Sequence, residues 1–184
     1  MTPIIRVAIE SDLDGILELQ SRNLYSQLTP ADLAGGFVTT PFTPELLRQL
    51  RLQDGVFVAE NAGQIVGYLL AGDWTFFSQW EIFRVMVDRL PELRFQNREI
   101  TVDRSFQYGP ICLDRAIRGS DVFPQLFNLM RSSFVSKFPV GVTFVNQLNQ
   151  LSFAAHTRKL NLEIIDEFDL NGNSFYTLAF LTRL

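Results

Sequence analysis

The stretch from residue 106 to residue 134 constrains the fold most, because its pattern changes there from strand to helix. Phe106–Leu113 is predominantly apolar and predicts a strand, and Asp114–Asp121 is polar and predicts a tight turn. Apolar side chains then recur at helical spacing, at Val122, Leu126, Phe127, Met130 and Phe134. The sequence therefore predicts a strand–turn–helix unit, in which Ser120 or Asp121 caps the helix.

The turn in this unit is a candidate anion site. A turn that leads backbone N–H groups into a helix start forms a cradle for anions. Arg118 lies in the turn, and a cationic side chain suits a phosphate site. An ordinary strand–loop–helix connection has the same outline, so the residues alone leave both interpretations open.

Composition limits the classes of protein to which the chain can belong. Its 184 residues, 47% of them hydrophobic, predict one globular domain over residues 1–184. A net charge of −4 without basic runs argues against a nucleic-acid partner. One cysteine and one histidine predict neither a disulfide framework nor a metal site. The N-terminus lacks a signal pattern and no apolar run is long enough to span a membrane, so we expect a cytoplasmic protein without membrane contact.

Strand and helix patterns alternate along the rest of the chain. Strands are predicted at Ile4–Ile9, Gly55–Glu60, Gln64–Ala71, Gly141–Asn146, Leu162–Phe168 and Phe175–Leu181. Helices are predicted after Ser11, after Thr29, and at Pro44–Gln53, Glu81–Arg89 and Leu151–Leu160. Asn61-Ala62-Gly63 and Asn171-Gly172 predict hairpin turns, and Leu93–Thr101 predicts a loop. This order predicts an α/β (α+β) fold with a mixed sheet.

An aromatic stretch, Trp74–Phe83, interrupts the regular patterns. It has neither clean strand nor clean helix periodicity over its whole length. Its rings suit a large apolar or aromatic acceptor pocket, and they equally suit core filling or a dimer contact.

Three stretches resemble the GNAT superfamily of acetyl-CoA-dependent N-acetyltransferases. Ile4–Leu24 is similar to the family's opening strand and helix. Ile111–Leu126 is similar to its pyrophosphate-binding turn, commonly Gln/Arg-x-x-Gly-x-Gly/Ala. Here Arg118 takes the first position, and Asp121 and Phe123 take the two glycine positions. Residues 149–162 resemble the late helix, with Asn161 in the place of a glycine, a position that asparagine tolerates in the left-handed conformation.

The resemblance implies a GNAT-like mixed, mostly antiparallel central sheet of six to seven strands flanked by helices. It implies transfer of an acetyl group from acetyl-CoA to a primary amine of a small molecule or peptide, with no metal. The binding residues that it implies are Ile111, Cys112, Leu113, Arg118, Gly119, Ser120, Asp121, Val122, Phe123 and Asn149. The resemblance implies that a backbone N–H near Ile111–Leu113 and Gly141–Phe144 holds the thioester carbonyl. It also implies that backbone amides of the turn bind pyrophosphate and that Asn149 contacts the pantetheine arm.

The sequence constrains the general acid and the general base of acetyl transfer less than it constrains the binding residues. Many family members use a tyrosine of the late helix as the acid, and this chain has Thr157 there, preceded by His156. His156 is a candidate acid, or it is a helix histidine that lies on the surface or is bonded to a backbone carbonyl. Tyr108 and Glu81 are candidate bases. The alternative for Tyr108 is an aromatic side chain of a strand in the core, and the alternative for Glu81 is a solvated carboxylate. Cys112, on an apolar strand, is interpreted as a buried small hydrophobe rather than a nucleophile.

The absent turn glycines and late-helix tyrosine favour a second hypothesis. In this alternative the chain is a catalytically weak or inactive GNAT-fold protein that binds acyl-CoA or a hydrophobic ligand, or acts as an interaction module. A homodimer through the aromatic stretch is a further possibility.

Overall fold

Nine strands and seven α-helices form in residues 2–183, the part of the chain that the computed structural model describes. The strands are β1 (Ile4–Val7), β2 (Val56–Asn61), β3 (Gln64–Gly72), β4 (Arg94–Phe95), β5 (Arg98–Glu99), β6 (Ser105–Leu113), β7 (Val140–Asn146), β8 (Glu163–Leu170) and β9 (Asn173–Leu181). The helices are α1 (Leu13–Ser21), α2 (Pro30–Leu33), α3 (Pro44–Arg51), α4 (Trp74–Phe77), α5 (Glu81–Arg89), α6 (Val122–Phe134) and α7 (Gln150–Ala154), and a π-helix, Ala155–Lys159, continues α7.

Seven of the described strands form one sheet in the order β1-β2-β3-β6-β7-β9-β8, and β4 and β5 form a small separate hairpin. Strand β1 pairs with β2 in antiparallel orientation, as do β2 with β3, β7 with β9, and β8 with β9. Strands β6 and β7 are parallel, with Ser105 opposite Val140. The predicted mixed, mostly antiparallel sheet of six to seven strands flanked by helices is confirmed.

The chain divides into two compact units. Within the described chain the first unit comprises residues 2–71 and 109–133, and its buried core includes Leu19, Leu47 and Leu50. The second unit comprises residues 72–108 and 134–183. The single domain expected over residues 1–184 stays a prediction.

The local turn signals are confirmed in both hairpins. Ala62 and Gly63 adopt φ of 51° and 82° between β2 and β3, and Asn171 and Gly172 adopt 51° and 76° between β8 and β9. Two successive left-handed residues match the twist of a two-residue hairpin. Asn161, in the glycine place of the late helix, also has a positive φ of 55°.

Three segments differ from the predictions. The expected loop Leu93–Thr101 contains the β4–β5 hairpin, which the sequence pattern missed because strands of two residues show no periodicity. Helix α4 was not predicted, although the Asp73 carboxylate caps it by accepting from the Phe76 N–H at 2.8 Å. The late helix widens into a π-helix in its second half, where one long helix, Leu151–Leu160, was expected.

The aromatic stretch fills the core of the second unit. Phe77 and Phe83 are fully buried with ring centroids 4.8 Å apart, and Phe83 continues to Phe144 of β7 at 5.5 Å. Trp74 donates from Nε1 to Ser105 Oγ at 2.9 Å. We call Trp74, Phe77, Phe83 and Phe144 the aromatic cluster. Of the alternatives for this stretch, core filling is what these residues show.

Among residues 2–183, no helix combines the length and the apolar character that crossing a membrane requires.

Candidate functional site

The turn between β6 and α6 lies in the first unit and exposes its backbone. Gly119 has a φ of 86°, and a Cβ placed there would meet no atom within 4 Å. Ser120 Oγ accepts a hydrogen bond from the Val122 N–H, the first N–H of α6, at 3.3 Å. The Phe123 ring is buried and therefore turned away from solvent. The turn has space at Gly119 and leads into a 13-residue helix, whose N-terminal end carries a positive partial charge that favours an anion.

Arg118 points into the protein. Its Nε donates to the main-chain oxygen of Leu113 at 3.0 Å, and its Nη2 donates to Asn23 Oδ1 at 2.6 Å. Its Nη1 donates to the main-chain oxygen of Gly35. The guanidinium thus ties the end of β6 to two earlier segments of the first unit. These contacts make Arg118 an organiser of the turn, a role the sequence analysis did not foresee.

The positive charge of Arg118 is nevertheless not neutralised by an ion pair. Its bonded acceptors are two carbonyl oxygens and an amide oxygen, and no carboxylate of residues 2–183 lies within 4 Å of it. By contrast, the neighbouring Arg115 pairs with Asp32 at 3.0 Å. A guanidinium outside any ion pair adds a positive potential beside the turn, which favours an anionic ligand there.

The second unit contains a buried tyrosine–histidine pair. Tyr108 Oη lies 3.0 Å from His156 Nε2, and both side chains are shielded from solvent. His156 Nδ1 lies 2.7 Å from the main-chain oxygen of Ser152. Tyr108 belongs to β6 and His156 to the π-helix, a helix type that occurs frequently at functional sites.

The partners of His156 determine which atom carries each proton. The Ser152 carbonyl can only accept, so Nδ1 carries the imidazole hydrogen. Nε2 of the neutral ring is then an acceptor, and the Tyr108 hydroxyl donates to it. Burial lowers the pKa of His156 to about 4, which keeps the ring neutral at pH 7. Burial also raises the pKa of Tyr108 well above its usual value. The proton between the two side chains therefore belongs to Tyr108.

The other predicted site residues lie in different surroundings. Glu81 begins α5, is exposed and accepts from Asn171 Nδ2 at 3.1 Å. Asn149 caps α7 by accepting from the Ser152 N–H at 3.2 Å. Ile111, Cys112 and Leu113 end β6, and burial raises the pKa of the Cys112 thiol to about 12, which agrees with a buried hydrophobe and not a thiolate nucleophile.

Sequence reasoning named Tyr108 and His156 separately and did not pair them. It missed Ser152 as the residue that sets the imidazole tautomer, although its spacing of four residues before His156 was a usable helical signal. It also missed Asn23 and Gly35 as acceptors for Arg118, and no local signal connects residues so far apart in the chain.

Several solved structures with the same architecture are named as acetyltransferases. An N-acetyltransferase from Staphylococcus aureus Mu50 matches with a TM-score of 0.65 and 16% identity, covering 100% of both chains. A GNAT superfamily phosphinothricin acetyltransferase from Sinorhizobium meliloti, in complex with acetyl-CoA, matches with a TM-score of 0.66 and 17% identity, covering 98% of this chain and 89% of its own. The chain has the GNAT acetyltransferase fold.

An acetyltransferase of the GNAT family from Streptococcus pneumoniae gives the same result, with a TM-score of 0.61, 13% identity and coverage of 97% of this chain and 98% of its own. No protein-family model matches the sequence, and no curated protein is significantly similar to it. The GNAT fold is thus recognised through structure and not through overall sequence similarity.

Proposed function

We propose that this GNAT-fold protein is an acyltransferase that moves the acetyl group of acetyl-CoA to a primary amine of a small molecule or peptide. The observation that carries the proposal is the turn before α6, where a glycine with space for a ligand beside its Cα and an arginine outside any ion pair precede a 13-residue helix. A fold shared with an acetyltransferase that was solved with acetyl-CoA supports the same ligand.

In this proposal the turn at residues 119–123 and the positive end of α6 bind the pyrophosphate. Arg118 fixes the turn and supplies its charge through space. The backbone of Ile111–Leu113 holds the thioester carbonyl, and Asn149 contacts the pantetheine arm. Acetyl-CoA supplies an acetyl group on a thioester, so that one C–N bond forms and one C–S bond breaks. The amine loses a proton to water, and the departing sulfur gains one.

Within this proposal Tyr108 is the proton donor to the departing sulfur. The hydroxyl carries the only hydrogen between Tyr108 and His156, because Nδ1–H of His156 faces Ser152. His156 then positions the hydroxyl and is itself neither acid nor charged at pH 7. This assignment replaces the sequence-based hypothesis of His156 as the acid and Tyr108 as the base. Glu81 is hydrogen-bonded to Asn171 and is given no part in it.

Tyr108→Phe is expected to lower kcat by roughly 100-fold, the lower end of what a general acid contributes, because phenylalanine has no proton to give. The KM for acetyl-CoA is expected to change little. Steady-state kinetics on purified variants measure both. Tyr176→Phe is the matched control, since Tyr176 lies on β9 and its ring packs against Phe153 at 4.6 Å. Equal kcat for Tyr108→Phe and the wild type would remove Tyr108 from the mechanism.

Acetyl-CoA is expected to raise the thermal midpoint of the wild-type protein in proportion to the logarithm of its concentration. A ligand at one hundred times its Kd stabilises the folded state by about 2.7 kcal/mol. For a chain of this length that corresponds to a rise of roughly 5–11 °C. A thermal-shift titration with acetyl-CoA, with dephospho-CoA and desulfo-CoA alongside, measures it. A flat response from folded protein at millimolar acetyl-CoA contradicts the proposal.

A second function, acyl-CoA binding without turnover, is favoured by one observation. Tyr108 and His156 are both buried, so neither is presented to solvent. This version predicts the same rise of the midpoint together with no acetylated product across a broad panel of amines. Product formation with any amine excludes it. The cytoplasmic location and the homodimer stay predictions from the sequence.

A further inference from the structure

Strand β8 ends the seven-stranded sheet, and its outer edge is open to a further strand. Among residues 2–183, β9 is the only strand that pairs with β8, which is eight residues long. A strand at the edge of a sheet offers backbone N–H and C=O groups that another chain can bond. Many natural edges are blocked by lysine, by proline or by a very short strand, and β8 has none of these features.

The strand register identifies the backbone groups that face outward. Leu170 and Asn173 flank the two-residue turn and therefore exchange hydrogen bonds, and such bonded pairs recur at every second residue. Glu167 and Asp169 lie between bonded pairs, so their N–H and C=O groups are directed away from β9. The Glu167 carbonyl accepts from Arg89 Nη2 at 3.3 Å, which agrees with this direction.

Glu167 and Asp169 also carry exposed carboxylates outside any ion pair. No cationic group among residues 2–183 lies within 4 Å of either carboxylate. Glu167 accepts from Gln147 Nε2 at 3.1 Å and Asp169 from Ser174 Oγ at 2.5 Å, and both donors are neutral. Residues two positions apart in a strand share a face, so the two negative charges stand side by side.

An exposed isoleucine lies on the same face as these carboxylates. A β-bulge interrupts β8 between Ile164 and Asp166, so that Ile164 is opposite Leu178 and Glu167 is opposite Tyr176. Leu178 and Tyr176 are two residues apart in β9 and point to one side of the sheet. Ile164, which is 47% exposed, therefore continues the row of side chains in which the carboxylates stand.

The charge of β8 decides what kind of strand can join it. The strand contains four acidic residues and neither lysine nor arginine. Pairing of β8 with a second copy of itself would bring like charges onto facing strands, which is destabilising. Opposite charges on facing strands are stabilising, so the edge favours a cationic strand.

From this edge we infer that β8 binds an extended segment of a partner protein that carries two lysines or arginines two residues apart. In antiparallel orientation, the more stable pairing, the segment exchanges backbone hydrogen bonds with Glu167 and Asp169. Its two cations then stand over the two carboxylates, and an apolar residue two positions further on meets Ile164. This interaction goes beyond the proposed function and does not require acetyl-CoA.

Fluorescence anisotropy with the labelled peptide TKVKVIT tests the inference. Saturable binding to the wild-type protein is expected. The peptide TKKVVIT has the same composition and charge, but its adjacent lysines face opposite sides of a strand, so about fivefold weaker binding is expected. TKVKVIT with a methyl group on the backbone nitrogen of each lysine keeps the charges and removes two N–H donors, and is expected to bind about tenfold more weakly.

A charge-removing variant tests the protein side of the interaction. Glu167→Gln combined with Asp169→Asn is expected to weaken TKVKVIT binding about fivefold, because two cross-strand charge pairs are lost. Glu18→Gln combined with Asp103→Asn is the matched control. Both of these carboxylates are exposed and outside any ion pair, and the net charge changes by the same amount. This control is expected to bind the peptide as the wild type does.

Hydrogen exchange of the β8 amides reports on the backbone contacts directly. The amides of Glu167 and Asp169 are expected to exchange rapidly in the free protein and more slowly when TKVKVIT is bound. Unchanged exchange of both amides at saturating peptide overturns the inference.

The remaining outcomes separate the inference from its alternatives. Absence of saturable binding at about 1 mM peptide overturns it, and so does equal affinity for TKVKVIT and TKKVVIT. Sedimentation equilibrium of the protein alone tests the second copy as occupant. A dimer that the Glu167→Gln, Asp169→Asn variant strengthens assigns the edge to self-association and overturns the inference. A protein that fails to bind acetyl-CoA contradicts the proposed function and leaves each of these outcomes decisive for β8.

Discussion

Replacing Arg118 with alanine is expected to lower the free energy of unfolding by about 4 kcal/mol, since hydrogen bonds from a charged group contribute about 1.5–3 kcal/mol each and are not fully additive. The guanidinium bonds the main-chain oxygens of Leu113 and Gly35 and the side chain of Asn23. Alanine leaves all three acceptors without this donor. Urea denaturation followed by circular dichroism measures the loss.

Arg115→Ala is the matched control for this prediction. Arg115 lies three residues away, and its ion pair with Asp32 at 3.0 Å is exposed to solvent. Exposed pairs contribute about 0–1 kcal/mol, so this variant is expected to be nearly as stable as the wild type. Arg118→Ala is also expected to weaken acetyl-CoA binding more than His156→Ala does, because it loosens the turn. Similar stability of the Arg118 and Arg115 variants would contradict the organising role of Arg118.

Acidification from pH 7 to pH 4 is expected to lower the free energy of unfolding by about 3 kcal/mol through the titration of His156 alone. The ordinary histidine pKa is about 6.5, and burial lowers the pKa of His156 to about 4. Between these values the unfolded chain binds a proton that the folded chain does not bind. This contribution to stability is therefore complete above pH 6.5 and is lost as the pH falls towards 4, about 2 kcal/mol of it by pH 5.

No other imidazole contributes to this pH dependence, because His156 is the single histidine of the chain. Carboxylates with ordinary pKa values near 4 protonate mainly below pH 5, so the interval from pH 7 to pH 5 reports chiefly on His156. Unfolding free energies are measured at several pH values for the wild type and for His156→Gln, which has no group that titrates there. The variant is expected to be insensitive to pH in this interval. If the wild type is equally insensitive, the imidazole is not held neutral by burial.

Much of the fold could be predicted from local patterns. The helix Glu81–Arg89 was predicted with the bounds that the structure has, because helical spacing and the following Pro91 fix both ends. The Asn171-Gly172 turn was predicted because two left-handed residues are required there and these residue types adopt that conformation readily. The β4–β5 hairpin and α4 were missed, since elements of two to four residues are too short for a period.

The candidate site was less accessible to sequence reasoning. Arg118 was recognised as a cation in a turn, but its direction depends on acceptors 83 and 95 residues away in the chain. Tyr108 and His156 were named as separate candidates, and 48 residues separate them.

The sequence by itself thus determined the order of the longer strands and helices, the two predicted hairpin turns and the strand–turn–helix unit at residues 106–134, since each of these depends on neighbours within a few residues. Only the tertiary structure decided that Arg118 faces inward, that His156 is neutral and bonded to Tyr108, and that β8 lies at the edge of the sheet. Backbone geometry is set by local sterics and periodicity. The partner, the protonation state and the exposure of a side chain are set by groups that only folding brings to it.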